Sequence, residues 1–511
     1  MKLIKYLLLS SVLVFTNCTD LIDVEPESYI VDNGSYNLVV AQNLLLGAYA
    51  SMRTPKETEW ALTEVLSDNT YNNVTSTSDL KRLQIINYDT FNYDNSDRSY
   101  YLGPYWLATY TSIRAANTVI QGVGYTYDPT SASFSFKESQ IIESSAKSLA
   151  AEACFIRAYN YFNLVRMFGS IPLVYIPFET PRDAYTLPNS SVSDVYKLII
   201  TDLKFAVDNG LSANYSATSA DVGKANKWAA AALLAKVYLT LGDKASAKTQ
   251  LESIIGTTVA TTGIKGYGLE STYASVFSTS NEMNKEILFS IRYSNANTTV
   301  GNSFTENFAG IGQTTPNVRS DNGVTDELYN AYLSTDTRRA VTILKGATPT
   351  GTGTAGIQRY FLTKFYSAVT VSGLGPNDWP VIRYSDVLLM YAEALGNTPT
   401  AVQFINLVRT RAFGNTTNNY ATTMSNAAFE TALFNERRLE FAGENQRMFD
   451  LLRLSSTSTN GFDLKAHFIN HFTNAYAAFY QPDLIYPLSF YTDNVNKTNF
   501  LLAIPAIQTQ N

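Results

Sequence analysis

The segment Ser148–Val174, SLAAEACFIRAYNYFNLVRMFGSIPLV, constrains the fold of this chain more than any other stretch. Phe155, Ala158, Phe162 and Val165 recur at i, i+3, i+7 and i+10, so the spacing predicts a helix carrying them on one face. Ala151 and Ala158 are small, which lets a second helix approach that side closely. Gly169 sits just past the periodic residues and Pro172 follows it. Both stop a helix, because glycine accepts the left-handed cap and proline cannot continue the ladder. Leu173, Val174 and Ile176 then begin an extended exit. Any fold for this chain must house a long, largely apolar helix and the partners that cover it.

Candidate partners lie on both sides. Val39–Met52 and Glu59–Leu66 carry helical periodicity, and Trp106, Tyr110, Ile113 and Ile120 hold one helical face. Ser191 offers an N-cap to an amphipathic helix over Val195–Val207. In Asn226–Ile255, Ala235, Tyr238, Gly242, Ala247 and Leu251 fall at the spacing of a tetratricopeptide helix–turn–helix, where small residues let two helices cross closely. Paired helices return in Tyr384–Arg411, which repeats the Ala-Glu-Ala of residues 151–153 at 392–394. Glu436–Arg453 is a last strong helical pattern, interrupted at Gly443. Between these regions, Gly256–Asp378 loses the helical period, and Glu286–Tyr293 and Gln358–Val369 read as strands. The expected organisation is a helical region over 29–255, an irregular loop and strand insert over 256–378, and a second helical region over 379–511. The expected fold class is mainly α, with tetratricopeptide-like helix pairs as the scaffold.

Charge narrows the partners. The net charge is −6 and no basic stripe occurs, which argues against a nucleic acid. Charged residues make up only 16% of the chain, against 34 tyrosines, so its surface must be largely neutral-polar and aromatic. That balance suits sugar or peptide contacts better than ionic ones. Two cysteines, Cys18 and Cys154, make no disulfide framework. Cys154 lies within the apolar helix and reads as a buried thiol.

The first residues read as an address. Lys2 and Lys5 precede a mostly apolar run from Tyr6 to Phe15 that is too short to span a membrane. Phe15-Thr16-Asn17-Cys18 resembles a bacterial lipobox, although Phe15 and Asn17 depart from its usual residues. The expectation is a lipoprotein signal over 1–17, cleavage before Cys18, acylation of that cysteine, and an acidic tether over 18–28. Several acyl chains anchor a protein firmly without a spanning helix.

The central segment also carries a resemblance. Ala151, Glu152, Ala153, Phe155, Arg157, Ala158, Tyr161, Phe162, Leu164, Val165, Arg166, Phe168, Gly169, Pro172, Leu173 and Val174 match a motif similar to the central helix of the SusD/RagB family, nutrient-binding lipoproteins of the Gram-negative outer membrane. The resemblance extends through Trp228–Leu239, Arg383–Ala394, Ile405–Ala412 and Glu436–Arg453 to the Ile504-Pro505 of the ending Leu501–Asn511. The Asn-Pro stretch that usually closes the family pattern is lacking here. The resemblance implies a surface protein that captures an oligo- or polysaccharide and hands it to a TonB-dependent, SusC-like barrel transporter, with no bond made or broken and no cofactor. A peptide ligand, as in the RagB branch, or a purely protein-binding tetratricopeptide scaffold are the alternatives.

Three constellations invite a chemical reading. Arg437, Glu440, Glu444, Arg447, Asp450 and Arg453 are spaced three or four apart, and an arginine three residues from each carboxylate lowers its pKa. They read as salt bridges, not as a glycosidase pair. Gly351, Gly353 and Gly356 match GxGxxG by letter, but they lie in a Thr/Gly/Pro loop with a strand-like segment after it, against the requirement of that fingerprint. His467 and His471, the only histidines, stand at i, i+4 without the glutamate of the catalytic zinc signature, and read as surface residues.

The aromatic loops remain. A sugar ring stacks its C–H face on Tyr or Trp while its hydroxyls take Asn, Asp and Arg. Asp68–Tyr105 mixes these types, with Tyr71, Asn72, Asn73, Tyr88, Phe91, Tyr93, Tyr100 and Tyr101, and so does Arg292–Arg319. The residues expected to bind ligand are Tyr71, Asn72, Asn73, Tyr88, Phe91, Tyr93, Tyr293, Asn295, Phe304 and Arg319. The two segments are expected to share one face.

Overall fold

A computed structural model describes residues 36–72, 80–93, 100–137, 139–177, 187–308, 321–346, 359–475 and 486–505. Cys18 and the leader, Asn73, Arg319 and the glycine loop 351–356 lie outside the described residues.

The apolar segment forms a 26-residue helix. Helices α1 (Leu38–Ser51), α2 (Arg53–Glu59), α3 (Leu80–Asp89) and α4 (Leu102–Gly122) precede this helix, α5 (Glu143–Phe168). Expected to bury one stripe, α5 is buried on nearly every side between Ala146 and Phe168, packed by α1, α4 and α6 (Val192–Asn209). A helix buried all round sits in the middle of a large core, and its polar Glu152, Arg157, Asn160 and Asn163 must find partners there. Cys154 is a free thiol buried there, and desolvation pushes it well above the usual thiol pKa. Arg157 is fully buried too. Its guanidinium donates to Asp202 of α6 at 2.8 and 2.7 Å and to Asn117 of α4 at 2.8 Å, so one side chain ties three helices together. Gly169 ends α5 at φ 73°, and the chain returns to that end: the Leu502 amide donates to the Met167 carbonyl at 2.8 Å.

Helix pairs continue the scaffold. Asn226 caps α7 (Lys227–Thr240) through the amides of Trp228 and Ala229, and Gly242 at φ 80° turns the chain into α8 (Lys244–Ile255). Ala235 and Ala247 are both buried, as the tetratricopeptide spacing requires. Thr398 and Pro399 open α10 (Pro399–Phe413) after α9 (Tyr384–Leu395). Helix α11 (Asn426–Phe441) stops at Ala442, and Gly443 at φ 78° begins the turn into α12 (Arg447–Thr457). Glu64 closes that turn, accepting from the amides of Gly443 and Asn445 at 2.9 Å each. Helices α13 (Leu464–Ala475) and α14 (Leu488–Lys497) follow.

The irregular middle is woven into both helical regions. Two short pairs, β2 (Tyr125–Asp128) with β3 (Ser133–Phe136) and β4 (Ile171–Pro172) with β5 (Asn189–Ser190), lie in the first helical region. Strands β1 (Thr70–Asn72), β7 (Asn322–Val324), β9 (Tyr360–Leu362) and β8 (Ile343–Lys345) form an antiparallel sheet in the order β1-β7-β9-β8. Strand β6 (Ile287–Ile291) pairs with β10 (Trp379–Arg383), which leads directly into α9. A single apolar cluster runs from Ala41 to Leu502. Two elements differ from expectation. Asp68–Tyr105 contains helix α3, which showed no stripe because its polar Gln84, Asn87 and Asp89 are buried with its apolar residues. Helix α2 also starts before Glu59, and Trp60–Leu62 is only one 3₁₀ turn.

Buried charges hold the C-terminal half. Glu440 accepts from Arg338, Arg383 and Arg411 at 3.1, 2.9 and 2.5 Å, and Glu444 pairs with Lys364 and Arg383 at 2.8 Å each. Arg437 bridges Asp386 and Asp450 at 2.8 and 2.9 Å. Of the pairs offered by helical spacing, Asp450–Arg453 forms at 2.8 Å, while Glu440 and Glu444 take their cations from other elements. Burial alone would raise Glu440, but the surrounding guanidiniums hold it well below the usual carboxylate range. A carboxylate so engaged has no acid–base work to do. The histidines also depart from the surface reading. His471 is buried, with Nδ1 2.9 Å from Glu327, and His467 Nε2 lies 3.1 Å from Asp68. The two rings face different carboxylates and do not converge on one ion.

Candidate ligand-binding face

The β1–β7 ladder pairs the first aromatic segment with residues just past the second. Asn72 stands opposite Asn322, and Thr70 opposite Val324. Below the ladder, the Thr325 amide donates to the Asn69 carbonyl at 3.0 Å, and the Asp321 amide to the Asn307 carbonyl at 3.0 Å. Trp60 braces the same junction with edge-on contacts to Tyr101 at 5.8 Å and Phe308 at 5.5 Å.

Electrostatics fix the base of this face. Asp68, two residues before the ladder, receives Arg447 at 2.7 and 2.9 Å. Burial alone would raise Asp68, but Arg438 and Arg447 hold its carboxyl well below the usual range. This pair pins the start of β1 to the α11–α12 turn.

The amides at the ladder's end are the notable groups. Both side-chain polar atoms of Asn72, and both of Asn322, are buried without a hydrogen-bond partner. Residues paired across an antiparallel ladder present their side chains on the same face, so the two carboxamides are neighbours. A buried polar atom without a partner costs about 1–3 kcal/mol, and native proteins rarely keep four together without a water or ligand to satisfy them. An asparagine amide both donates and accepts, as a sugar hydroxyl requires.

Helix α3 holds the backbone of Asn72 and that of a ring from the same segment. Its Asp89 accepts from the Asn72 amide at 3.1 Å, and its Gln84 accepts from the Tyr100 amide at 3.2 Å. Tyr100 is 41% exposed and Tyr93 half-buried. Tyr100 is therefore the open ring of the segment.

Most of the other expected rings are not open. Tyr71 is 1% exposed, and its hydroxyl accepts from Arg359 at 3.0 Å. Tyr88 is buried. Phe91, at φ 54°, drives its ring among Phe468, Phe472 and Phe500. Tyr293 and Phe304 pack edge to face at 5.4 Å, and Phe304 also meets Trp379 at 4.9 Å. These five rings lie in the core and present no face to a ligand. The physical reason is local: each sits among polar residues in sequence but beneath a chain that folds back over it. Asn295 is exposed in a turn. Of the expected residues, Asn72 and Tyr93 keep buried polar atoms with no hydrogen-bond partner among the described residues, and Asn322 and Tyr100 were not among those expected. Nothing in their spacing marked Asn322, since only the ladder brings it to Asn72.

Comparison with known proteins follows the same outline. Residues 273–508 match the model described as SusD family, and residues 20–239 match one described as starch-binding associating with outer membrane. SusD-like protein P2 of Formosa agariphila is 26% identical over 493 residues, covering 89% of this chain and 91% of its own. A solved laminarin-binding SusD-like protein superposes with a TM-score of 0.70 at 27% identity, covering 92% of this chain and 97% of its own. Surface glycan-binding protein A from Bacteroides fluxus superposes with a TM-score of 0.66, covering 82% and 89% of the two chains. At 21% identity that second likeness speaks to the fold alone.

Proposed function

This chain belongs to the SusD family, and on that premise we propose that it captures an oligo- or polysaccharide at the cell surface and passes it to a TonB-dependent, SusC-like transporter. Likeness to the laminarin-binding protein along nearly the whole chain carries this reading. Exposed Tyr100 supports the stacking half of sugar recognition, and the unsatisfied side-chain amides of Asn72 and Asn322, themselves buried, would give hydroxyl partners to a ligand that reaches them. Acylated Cys18 would hold the protein on the outer membrane. Among the described residues no helix is long and apolar enough to cross a membrane. A site built on one exposed ring and a few hydrogen bonds is expected to bind at about micromolar to millimolar Kd. Such affinity suffices where protein and transporter share a membrane, because tethering raises their effective concentration.

The test is calorimetry of the protein lacking residues 1–18 with laminarin oligosaccharides, maltooligosaccharides and an unrelated peptide mixture. Saccharide binding that leaves the chain length of the sugar unchanged is expected. Binding of peptide alone would move the protein to the RagB-like reading, and shortened sugar would make it an enzyme.

A further inference from the structure

A cavity of about 170 Å³ opens where three helix ends meet: the end of α9, the first turns of α11 and the end of α12. None of its residues belongs to the face built on β1 and β7. Its floor is Phe429, Leu433, Phe434 and Leu454, all buried. The Arg453 guanidinium lies 5.0 Å from the Phe434 ring centre.

Into this apolar floor comes one carboxylate. Glu393 gives one oxygen to Arg453, while Oε2 is buried with no hydrogen-bond partner. The rim is polar and exposed, carrying Lys244, Asn397 and Asn426. Asn397 Nδ2 donates to Asn426 Oδ1 at 2.8 Å, which leaves Asn397 Oδ1 and Asn426 Nδ2 directed to other partners. The walls thus offer an acceptor on Glu393, a donor on Lys244, and one of each from the amides.

Both signs of charge line the same small space. A cation would meet Lys244, and an anion would meet Glu393 and Glu430. A neutral molecule with hydroxyls, which donate and accept, meets neither penalty, and an apolar face suits the floor. A dry cavity of about 150 Å³ holds a benzene-sized ring, so this one has room for a single six-membered ring.

We propose that this pocket is a second saccharide subsite, taking one neutral pyranose ring with a C–H face toward Phe429 and Leu433 and a hydroxyl donating to Glu393 Oε2. The inference shares the ligand class of the preceding reading but rests on different residues. Two weak subsites on one chain would hold a polymer more tightly than either alone.

The experiment is hydrogen exchange on the protein lacking residues 1–18 with laminaritriose, maltotriose and cellotriose, and with leucine as a zwitterionic control. At least one trisaccharide should slow exchange in residues 393–397, 426–434 and 454–459. This protection should persist when Asn72→Ala and Tyr100→Ala disable the other face. Thr459→Trp, on the exposed rim, should weaken it at least tenfold while leaving the β1–β7 face responsive. Glu393→Gln should weaken it too, and Lys244→Gln only slightly. Trisaccharide protection confined to the β1–β7 face would overturn the pocket and spare the proposed function. Protection of the pocket by leucine alone, abolished by Lys244→Gln, would overturn the ligand class. No saccharide response anywhere would sink both readings.

Discussion

Asn72 and Asn322 face one another across two strands drawn from segments about 250 residues apart, and none of their four amide atoms has a partner. Groups kept for folding would be satisfied by the fold. Asn72→Ala and Asn322→Ala should therefore leave thermal stability unchanged or raise it, since each removes an unpaired buried amide. The same variants should lower saccharide affinity by roughly tenfold or more, which is about 1.4 kcal/mol. Loss of stability without loss of affinity would make the pair structural.

Tyr100 and Tyr71 should separate in the opposite way. Tyr100 is exposed, and surface changes usually stay within about 0.5 kcal/mol of wild type. Tyr100→Ala should cut saccharide binding and leave the denaturant midpoint in place. Tyr71 is buried and hydrogen-bonded to Arg359, so Tyr71→Ala should cost about 3–5 kcal/mol, as buried aromatic truncations do. Urea unfolding paired with calorimetry checks both.

Acid should unfold the protein through Glu440 and its neighbours. Glu440, Asp450 and Asp68 have folded pKa values depressed by arginines. A depressed carboxylate contributes stability that is present above the unfolded value of about 4 and lost as pH falls toward the folded one. Melting temperature should drop steeply below roughly pH 4. Glu440→Gln, which leaves three guanidiniums without their carboxylate, should cost about 3–5 kcal/mol at neutral pH and flatten the acid limb.

Glu57 should act at the other end of the scale. Burial, with Glu306 nearby, pushes its carboxyl up to about 8 against the opposing Ser303 amide bond of 3.0 Å. A raised folded pKa contributes stability that is complete below the unfolded value and lost as pH rises through the folded one. The loss therefore falls between roughly pH 4 and pH 8. Glu57→Gln keeps the neutral form at every pH, so its melting temperature should gain on wild type from pH 5 to pH 9. A constant difference across that range would put the proton elsewhere.

Periodicity exposed the scaffold because long helices write their packing into spacing. Phe155, Ala158 and Phe162 announced α5, and Ala235, Gly242 and Ala247 announced the α7–α8 pair. Cys154 was legible as buried for the same reason. Arg157 was not, because an arginine on an apolar helix shows its role only when Asp202 arrives from another one. The ligand face was less legible still. Composition pointed to Asp68–Tyr105 and Arg292–Arg319, but Asn322 lies just past the second of them; Tyr71 and Tyr100 look alike in sequence, and only the folded chain decides which ring is covered. Asn322 has no local signature at all. Its partner is fixed by strand pairing over a distance that no spacing rule spans.

The bond from Leu502 to Met167 also sets an order of events. The central helix forms from residues in the first third of the sequence, yet its final turn is completed by residues that emerge only after some 330 others. Such long-range closure is slow, because the intervening loop must be ordered before the contact rewards it. A nascent chain would therefore carry this long, buried helix with an open end until residue 502 has been made. Whatever shields that end in the meantime, a chaperone or the chain's own earlier helices, must let go for residue 502 to dock.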